Sequence, residues 1–264
     1  MTRIGELFGR LSRPAFIAYL VAGHPDRAGF FLAARAVMDG GADILEIGMP
    51  FSDPVADGPT IQRAHTRALG AGMTVDGYFD AIRGIRSSSE IPLVLMVYCN
   101  TVHRRGVGRF YREARDAGAD AVLVVDMPPE EGERALAAAR ENGLDQIFLV
   151  APSTPDERIG LIARSGSGFL YLTSLLGVTG ARDRLSGEAS RLIARARTRT
   201  DLPLAVGFGI SRPGHARELR KAGADGIIVG SAIVALAESR EGDPDRMAKE
   251  IRQFVAGMRR ALGD

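Results

Sequence analysis

Residues 40–50, GGADILEIGMP, contain the pattern that decides the fold. A helical segment ends at the two glycines, Asp43 follows, and residues 44–47 form an apolar run that leads to Gly48 and Pro50. The same order recurs at residues 117–120 and 222–225, each time before another apolar run. Glycine ends a helix in the left-handed conformation at little steric cost, and a buried strand can follow directly. The three copies therefore predict a repeated helix–strand unit.

Eight short apolar runs alternate with helical patterns along the chain, at residues 15–21, 44–47, 93–97, 121–125, 147–150, 169–172, 204–206 and 226–229. The runs are continuous, which indicates strands buried on both faces of a parallel sheet. Eight such strands in about 250 residues match an α/β fold of the TIM-barrel type, (β/α)8. A doubly wound open sheet is the alternative. No linker divides the chain, so we expect a single domain over residues 1–264.

Helical spacing of apolar residues predicts the segments between the strands. Ile4, Leu7, Phe8 and Leu11 recur among charged residues and predict an extra N-terminal amphipathic helix. Apolar residues after a cap at Thr74 predict a second helix, and others are expected near residues 107–117 and 131–142. The N-terminal segment lacks the apolar centre of a signal peptide.

Composition excludes several classes of function. The 264 residues carry a net charge of only +2, which gives no argument for binding nucleic acid. No run of about 18 apolar residues is present, so no membrane span is expected. Cys99 is the single cysteine, which rules out an intrachain disulfide and favours the cytoplasm. Four histidines are present, but none pairs with another at metal-ligand spacing, so no metal site is expected.

Residues 46–62, EIGMPFSDPVADGPTIQ, place two carboxylates in unlike settings. Glu46 stands at a strand end among apolar residues, where partial burial should raise its pKa. Asp57 lies on a loop that prolines and glycines constrain, and it should remain ionised. Two acids in different environments are typical of acid/base chemistry. The structural alternatives are a salt bridge inside the barrel for Glu46 and a helix cap before Pro59 for Asp57.

Glycine-bearing segments follow each of the last three predicted strands, at residues 177–180, 207–211 and 230–233. Glycines let backbone N–H groups approach an anion, and a helix N-terminus adds a favourable dipole. The loops after strands seven and eight of a barrel often bind phosphate. A turn explains any one segment alone, but three at the same end of the sheet predict a site for a phosphorylated small molecule. No dinucleotide fingerprint stands in a strand–turn–helix setting.

Together these segments resemble the alpha subunit of tryptophan synthase. The resemblance extends from Pro14 to about Leu236 and is carried by residues 46–62, 126–131, 177–180, 207–210 and 230–232. It implies a lyase that cleaves indole-3-glycerol phosphate in a retro-aldol reaction to indole and glyceraldehyde 3-phosphate. Glu46 would be the general acid/base at the indole carbon that bears the side chain. Asp57 would interact with the indole N–H and stabilise the developing positive charge.

The resemblance also implies a set of residues around the substrate and a partner. Gly180, Gly209, Gly230 and Ser231 would hold the phosphate. The remaining substrate-binding residues would be Tyr171, Thr179, Phe208, Tyr19, Met96 and Leu149. A beta subunit would complete an α2β2 heterotetramer, with Pro50 and Asp53 at the contact. Pyridoxal phosphate would belong to that partner, so we expect no cofactor on this chain.

Two other functions remain as alternatives. One is a regulatory module that binds the phosphorylated ligand and activates a beta subunit with little catalysis of its own. The other is a different phosphate-binding barrel enzyme, such as an isomerase or the indole-glycerol-phosphate synthase. Intact Glu46 and Asp57 argue against the first. The second typically needs a lysine or a cysteine at a strand end, and no predicted strand ends in lysine.

Overall fold

The computed structural model describes residues 2–173, 184–207, 209–239 and 242–263. They form eight strands: β1 Ala15–Val21, β2 Ile44–Gly48, β3 Leu93–Val97, β4 Ala121–Val124, β5 Asp145–Val150, β6 Leu170–Thr173, β7 Leu204–Gly207 and β8 Gly226–Val229. The helices are α1 Arg3–Arg10, α2 Arg27–Asp39, α3 Pro59–Gly70, α4 Val75–Arg86, α5 Cys99–Arg105, α6 Val107–Ala117, α7 Glu133–Glu141, α8 Asp156–Ser165, α9 Arg184–Arg197, α10 Pro213–Lys221, α11 Ser231–Ser239 and α12 Pro244–Ala261.

The strands form a closed barrel in sequence order. Each strand pairs in parallel with the next, and β8 returns to β1 with Gly226 opposite Ala15. The predicted (β/α)8 TIM barrel is confirmed, and the doubly wound open sheet is wrong. The predicted bounds of β1, β3 and β8 agree with the structure, and the other five strands differ by one or two residues.

The helix predictions agree with the structure in most details. Thr74 caps α4, because its side-chain oxygen accepts a hydrogen bond from the backbone N–H of Gly77 at 3.1 Å. Helix α6 has the predicted bounds. Helix α7 starts two residues later than predicted, since a short 3₁₀ turn, Pro129–Glu131, precedes it.

Apolar residues form two cores separated by the sheet. The outer core lies between the strands and the surrounding helices. The inner core fills the barrel with side chains such as Ile17, Val94 and Ile147, and it also includes Ile4 and Leu7 of α1. The predicted N-terminal helix is therefore confirmed, and it closes the end of the barrel where the strands begin.

The three repeated glycine units have the conformation that the sequence predicts. Gly41, Gly118 and Gly223 have φ angles of 94°, 95° and 90°, which favour glycine. The aspartate two residues after each glycine accepts a backbone hydrogen bond from the first or second residue of the preceding strand. The donor–acceptor pairs are Phe16 to Asp43 at 2.7 Å, Leu93 to Asp120 at 2.8 Å and Leu204 to Asp225 at 2.8 Å.

An arginine completes each of these contacts. We call the pairs Arg13–Asp43, Arg86–Asp120 and Arg197–Asp225 the arginine–aspartate clasps. Each clasp ties the start of one strand to the start of its neighbour, so each fixes the pairing of two strands at the N-terminal end of the barrel. Residues at that end of a (β/α)8 barrel serve stability, while the opposite end holds the site.

Candidate active site

A cavity of about 660 Å³ opens at the C-terminal ends of the strands. Eight of the predicted site residues line it: Tyr19, Asp57, Met96, Leu149, Tyr171, Gly209, Gly230 and Ser231. The lining also includes residues that the sequence analysis did not single out, among them Val55, Ile61, Thr173 and Ile228. Thr179, Gly180 and Phe208 were predicted here too, but they lie outside the described residues.

Glu46 is fully buried on β2, opposite Tyr19 in the register of β1 and β2. Burial, and secondly the charge of Asp57, raise the pKa of its carboxyl group to about 8. Neither carboxyl oxygen has a hydrogen-bond partner among the described residues. The alternative of a salt bridge inside the barrel is therefore wrong. Glu46 is not among the residues that line the cavity, since its side chain is fully buried.

Two tyrosine rings fill the space beside Glu46, and two glycines make room for them. A Cβ atom on Gly48 would lie 2.1 Å from the hydroxyl oxygen of Tyr19, and one on Gly207 would lie 2.4 Å from that of Tyr171. Burial, followed by the charges of Asp57 and Glu46, raises the pKa of both hydroxyl groups well above the ordinary value. Both tyrosines are therefore neutral.

Asp57 precedes α3 and lines the cavity. Its Oδ2 accepts a hydrogen bond from the hydroxyl of Tyr98 at 2.7 Å, and Nε2 of His65 lies 3.4 Å from the same oxygen. Among the described residues no arginine or lysine forms an ion pair with it. The N-cap of α3 is Gly58, with no side-chain hydrogen bond, so the alternative of a helix cap is wrong.

Three residues around Asp57 were missed by the sequence analysis. The ring of Phe51 stacks on that of Tyr98 with centroids 4.7 Å apart, and the Phe51 N–H donates to Nδ1 of His65 at 3.2 Å. Tyr98 directly follows β3, so the rule that strand ends face the site could have found it. His65 could have been found from its spacing with Ile61, Ala64 and Ala68, which form the buried face of α3.

The glycine segments after β7 and β8 also reach the cavity. Gly209 has a φ angle of 72°, which places its backbone in the left-handed region. Gly230 and Ser231 lie at the start of α11, where unpaired N–H groups and the helix dipole favour an anion. This arrangement can hold a phosphate group. Asp57 is the only acidic residue in the described lining of the cavity.

The loop between β2 and α3 contains the predicted partner residues. Pro50 is buried and Asp53 is exposed. Val55, on the same loop, leaves 83% of its surface exposed and is the most exposed large apolar residue among those described.

Neither a metal site nor a membrane-spanning helix is present among the described residues. No group of three or more His, Cys, Asp or Glu side chains in this part of the chain is placed to hold a metal ion. No helix within the same residues has the length and apolar character needed to cross a membrane.

The fold and these side chains define a (β/α)8-barrel protein with a candidate acid/base site at the C-terminal ends of its strands. The family model for the tryptophan synthase alpha chain matches residues 9–262. The tryptophan synthase alpha chain of Methanoregula boonei is 51% identical over 261 residues, which cover 99% of this chain and 98% of that one. The chain therefore belongs to the tryptophan synthase alpha chain family.

Solved structures agree with this assignment. Tryptophan synthase from Mycobacterium tuberculosis matches with a TM-score of 0.89 and 36% identity, over 99% of this chain and 98% of that one. The tryptophan synthase α2β2 complex from the hyperthermophile Pyrococcus furiosus matches with a TM-score of 0.86 and 40% identity, over 92% of this chain and 97% of that one.

Proposed function

We propose that this chain cleaves indole-3-glycerol phosphate to indole and glyceraldehyde 3-phosphate, the alpha reaction of tryptophan synthase in tryptophan biosynthesis. The observation that carries the proposal is the presence of two unlike acids: among the described residues, buried Glu46 has no hydrogen-bond partner, and no arginine or lysine forms an ion pair with Asp57. A module that only bound the ligand would have no need of the unfavourable burial of Glu46.

Glu46 is suited to move a proton in both directions. With a pKa of about 8 its carboxyl group keeps its proton at neutral pH, so it can protonate the indole carbon that carries the side chain. The carbon–carbon bond then breaks and its electrons restore the aromatic ring. The Glu46 carboxylate takes the proton from the side-chain hydroxyl as the aldehyde forms. A general acid must come within about 3 Å of its target, so a rotation of Glu46 into the cavity is part of the proposal.

Asp57 is suited to stabilise the intermediate. Protonation at carbon makes the indole ring cationic, and the positive charge is shared with the ring nitrogen. An anion next to the indole N–H lowers the energy of that state, more strongly in a cavity from which water is excluded. The neutral donor Tyr98 orients the Asp57 carboxylate without cancelling its charge.

The remaining cavity residues would hold the two ends of the substrate. Tyr19, Met96, Leu149, Tyr171 and Phe208 would pack around the indole. The phosphate would bind the backbone N–H groups of Gly180, Gly209, Gly230 and Ser231, as the start of α11 supports. Thr179 would help to orient Asp57.

We further propose that the chain works in an α2β2 heterotetramer with a tryptophan synthase beta subunit. The exposed Val55 and the neighbouring Pro50 and Asp53 would contribute to the contact. Pyridoxal phosphate would be carried by the beta subunit alone, and this chain would need no cofactor. The single cysteine favours a reducing compartment, which we take to be the cytoplasm.

A direct assay tests the proposal. The purified chain is incubated with indole-3-glycerol phosphate, with and without a tryptophan synthase beta subunit, and both products are measured. We expect indole and glyceraldehyde 3-phosphate in equal amounts, formed faster when the beta subunit is present. Binding of the substrate without formation of either product would overturn the proposal in favour of the regulatory module.

A further inference from the structure

We propose that His65 is a positioning residue for the alpha reaction, and that its Nε2–H orients the carboxylate of Asp57. The inference rests on the proposed function of Asp57 and extends it to a residue outside the cavity lining. His65 lies on the buried face of α3 and is only 2% exposed. Solvent therefore has almost no access to its imidazole, and the hydrogen bonds of the ring depend on neighbouring protein groups.

The hydrogen bond from Phe51 determines which ring nitrogen carries the proton. The Phe51 N–H donates to Nδ1 at 3.2 Å, so Nδ1 acts as an acceptor and has no hydrogen of its own. In neutral imidazole the proton then resides on Nε2. Nε2 is the nitrogen that faces Asp57, 3.4 Å from Oδ2.

The Nε2–H group has no hydrogen-bond partner among the described residues, although it is buried. The contact to Asp57 is close enough for an ion pair but lacks the geometry of a hydrogen bond. A buried donor without an acceptor is unfavourable, and catalytic hydrogen bonds often shorten only when the substrate is bound. Oδ2 of Asp57 is an acceptor only 3.4 Å from this donor, so a small shift of Asp57 completes the bond.

A neutral histidine offers Asp57 an advantage that a cation would not. Together with Tyr98 it gives Oδ2 two neutral donors from two different elements, α3 and the end of β3. Two donors define the direction of the carboxylate, while its negative charge stays available for the indole. An arginine at the same place would hold the carboxylate as firmly but would neutralise it.

Two substitutions separate the two hydrogen bonds of the ring. In His65→Gln the amide nitrogen lies near the position of Nε2, which keeps the donor to Asp57 and removes the acceptor for Phe51. In His65→Asn the amide oxygen lies near the position of Nδ1, which keeps the acceptor and removes the donor. Steady-state kinetics with the beta subunit present and thermal unfolding are measured for both variants and the unsubstituted chain.

We expect His65→Asn to lower kcat about tenfold with KM changed less than about twofold, and His65→Gln to stay within about threefold of the unsubstituted kcat. Equal losses in the two variants, no loss in either, or a larger loss in His65→Gln would overturn the inference. If the unsubstituted chain forms no indole, the proposed function fails instead.

A measurement on the unsubstituted chain keeps the inference testable even if a variant does not fold. Nitrogen-15 NMR of labelled histidine reports which ring nitrogen of His65 is protonated. We expect the proton on Nε2, and a change in the Nε2–H resonance when indole-3-glycerol phosphate is added. A proton on Nδ1, or an Nε2–H resonance that the substrate does not affect, would overturn the inference.

Discussion

At the N-terminal end of the barrel, the clasp aspartates are held by backbone N–H groups and arginines, whereas at the C-terminal end neither Glu46 nor Asp57 has an arginine or lysine partner in the described part of the chain. Asp120 shows the first arrangement: it accepts hydrogen bonds from the Leu93 N–H and from Arg86 and Arg3. Glu46 shows the second, since both of its oxygens lack a partner among the described residues. The same chemical group thus stabilises one end of the barrel and destabilises the other.

Reactive carboxyl groups are thus retained at the end of the barrel where they lack arginine or lysine partners among the described residues. A paired carboxylate stays ionised and contributes to the free energy of unfolding. The pKa of Glu46 is instead raised to about 8, because burial disfavours its charged form. We therefore expect substitutions at the C-terminal end to change activity and substitutions at the N-terminal end to change stability.

Removing the Glu46 proton should abolish activity and leave the fold intact. Glu46→Gln is nearly isosteric but cannot transfer a proton, so we expect kcat to fall by about a thousandfold. Indole formation with the beta subunit present measures this. Glu90→Gln, an exposed glutamate at the opposite end of the barrel, is the control and should retain full activity. Substantial indole formation by Glu46→Gln would contradict the assignment of Glu46.

Removing a buried clasp aspartate should have the opposite effect. Asp120→Ala leaves the Leu93 N–H and the Nη2–H of Arg86 without their acceptor and removes the buried charge partner of Arg86, so we expect the free energy of unfolding to fall by about 3 kcal/mol. Denaturant unfolding measures the loss, and kcat of the folded variant should not change. Asp225→Ala is the matched control: its side chain is 38% exposed, so the loss should be about 1 kcal/mol. Equal losses at both positions would show that burial does not determine the strength of a clasp.

The raised pKa of Glu46 should appear in the pH dependence of stability. The folded state holds this proton up to about pH 8, while the unfolded state loses it near 4.5. Stability from this group is therefore present below pH 4.5 and falls as the pH rises toward 8. From about pH 6 to about pH 7.5, the unsubstituted chain should lose about 2 kcal/mol relative to Glu46→Gln. A difference between the two chains that does not change with pH would contradict the raised pKa.

Removing one neutral donor from Asp57 should have the smallest effect. Tyr98→Phe keeps the ring that stacks on Phe51 and removes the hydroxyl that bonds Asp57, so we expect kcat to fall about tenfold. Tyr111→Phe removes a buried hydroxyl that bonds Gln146 and is the control. It should lower the melting temperature and leave kcat unchanged. An equal effect of both variants on kcat would assign Tyr98 a structural role only.

Most of the fold could be predicted from the sequence, because strands buried on both faces form continuous apolar runs. The start of β5 could not: it begins at Asp145, two residues before the predicted bound. Asp145 and Gln146 are buried polar residues, and Gln146 accepts a hydrogen bond from Tyr111 of α6. A pattern of hydrophobicity does not identify a polar residue whose burial a distant partner makes favourable.

Only part of the candidate site could be predicted from the sequence. Glu46 and Asp57 stand in one distinctive segment, and eight predicted residues line the cavity. The surroundings of Asp57 come from three separate segments, which contain Phe51, His65 and Tyr98, and only the folded chain brings them together. Sequence patterns could place Tyr98 at a strand end and His65 on the buried face of a helix, but they do not show which of these side chains contact each other.

The closure of the barrel has a consequence for how the chain is made. β1 pairs with β8, whose residues lie more than 200 positions later, and the inner core combines α1 with strands from both halves of the chain. During synthesis, Ile4 and Leu7 therefore emerge from the ribosome long before the last strands that complete their surroundings. Contacts between such distant residues form slowly. The first helix of this protein is thus among the last to reach its final packing, and the apolar residues that it carries need protection from aggregation until β8 has been added.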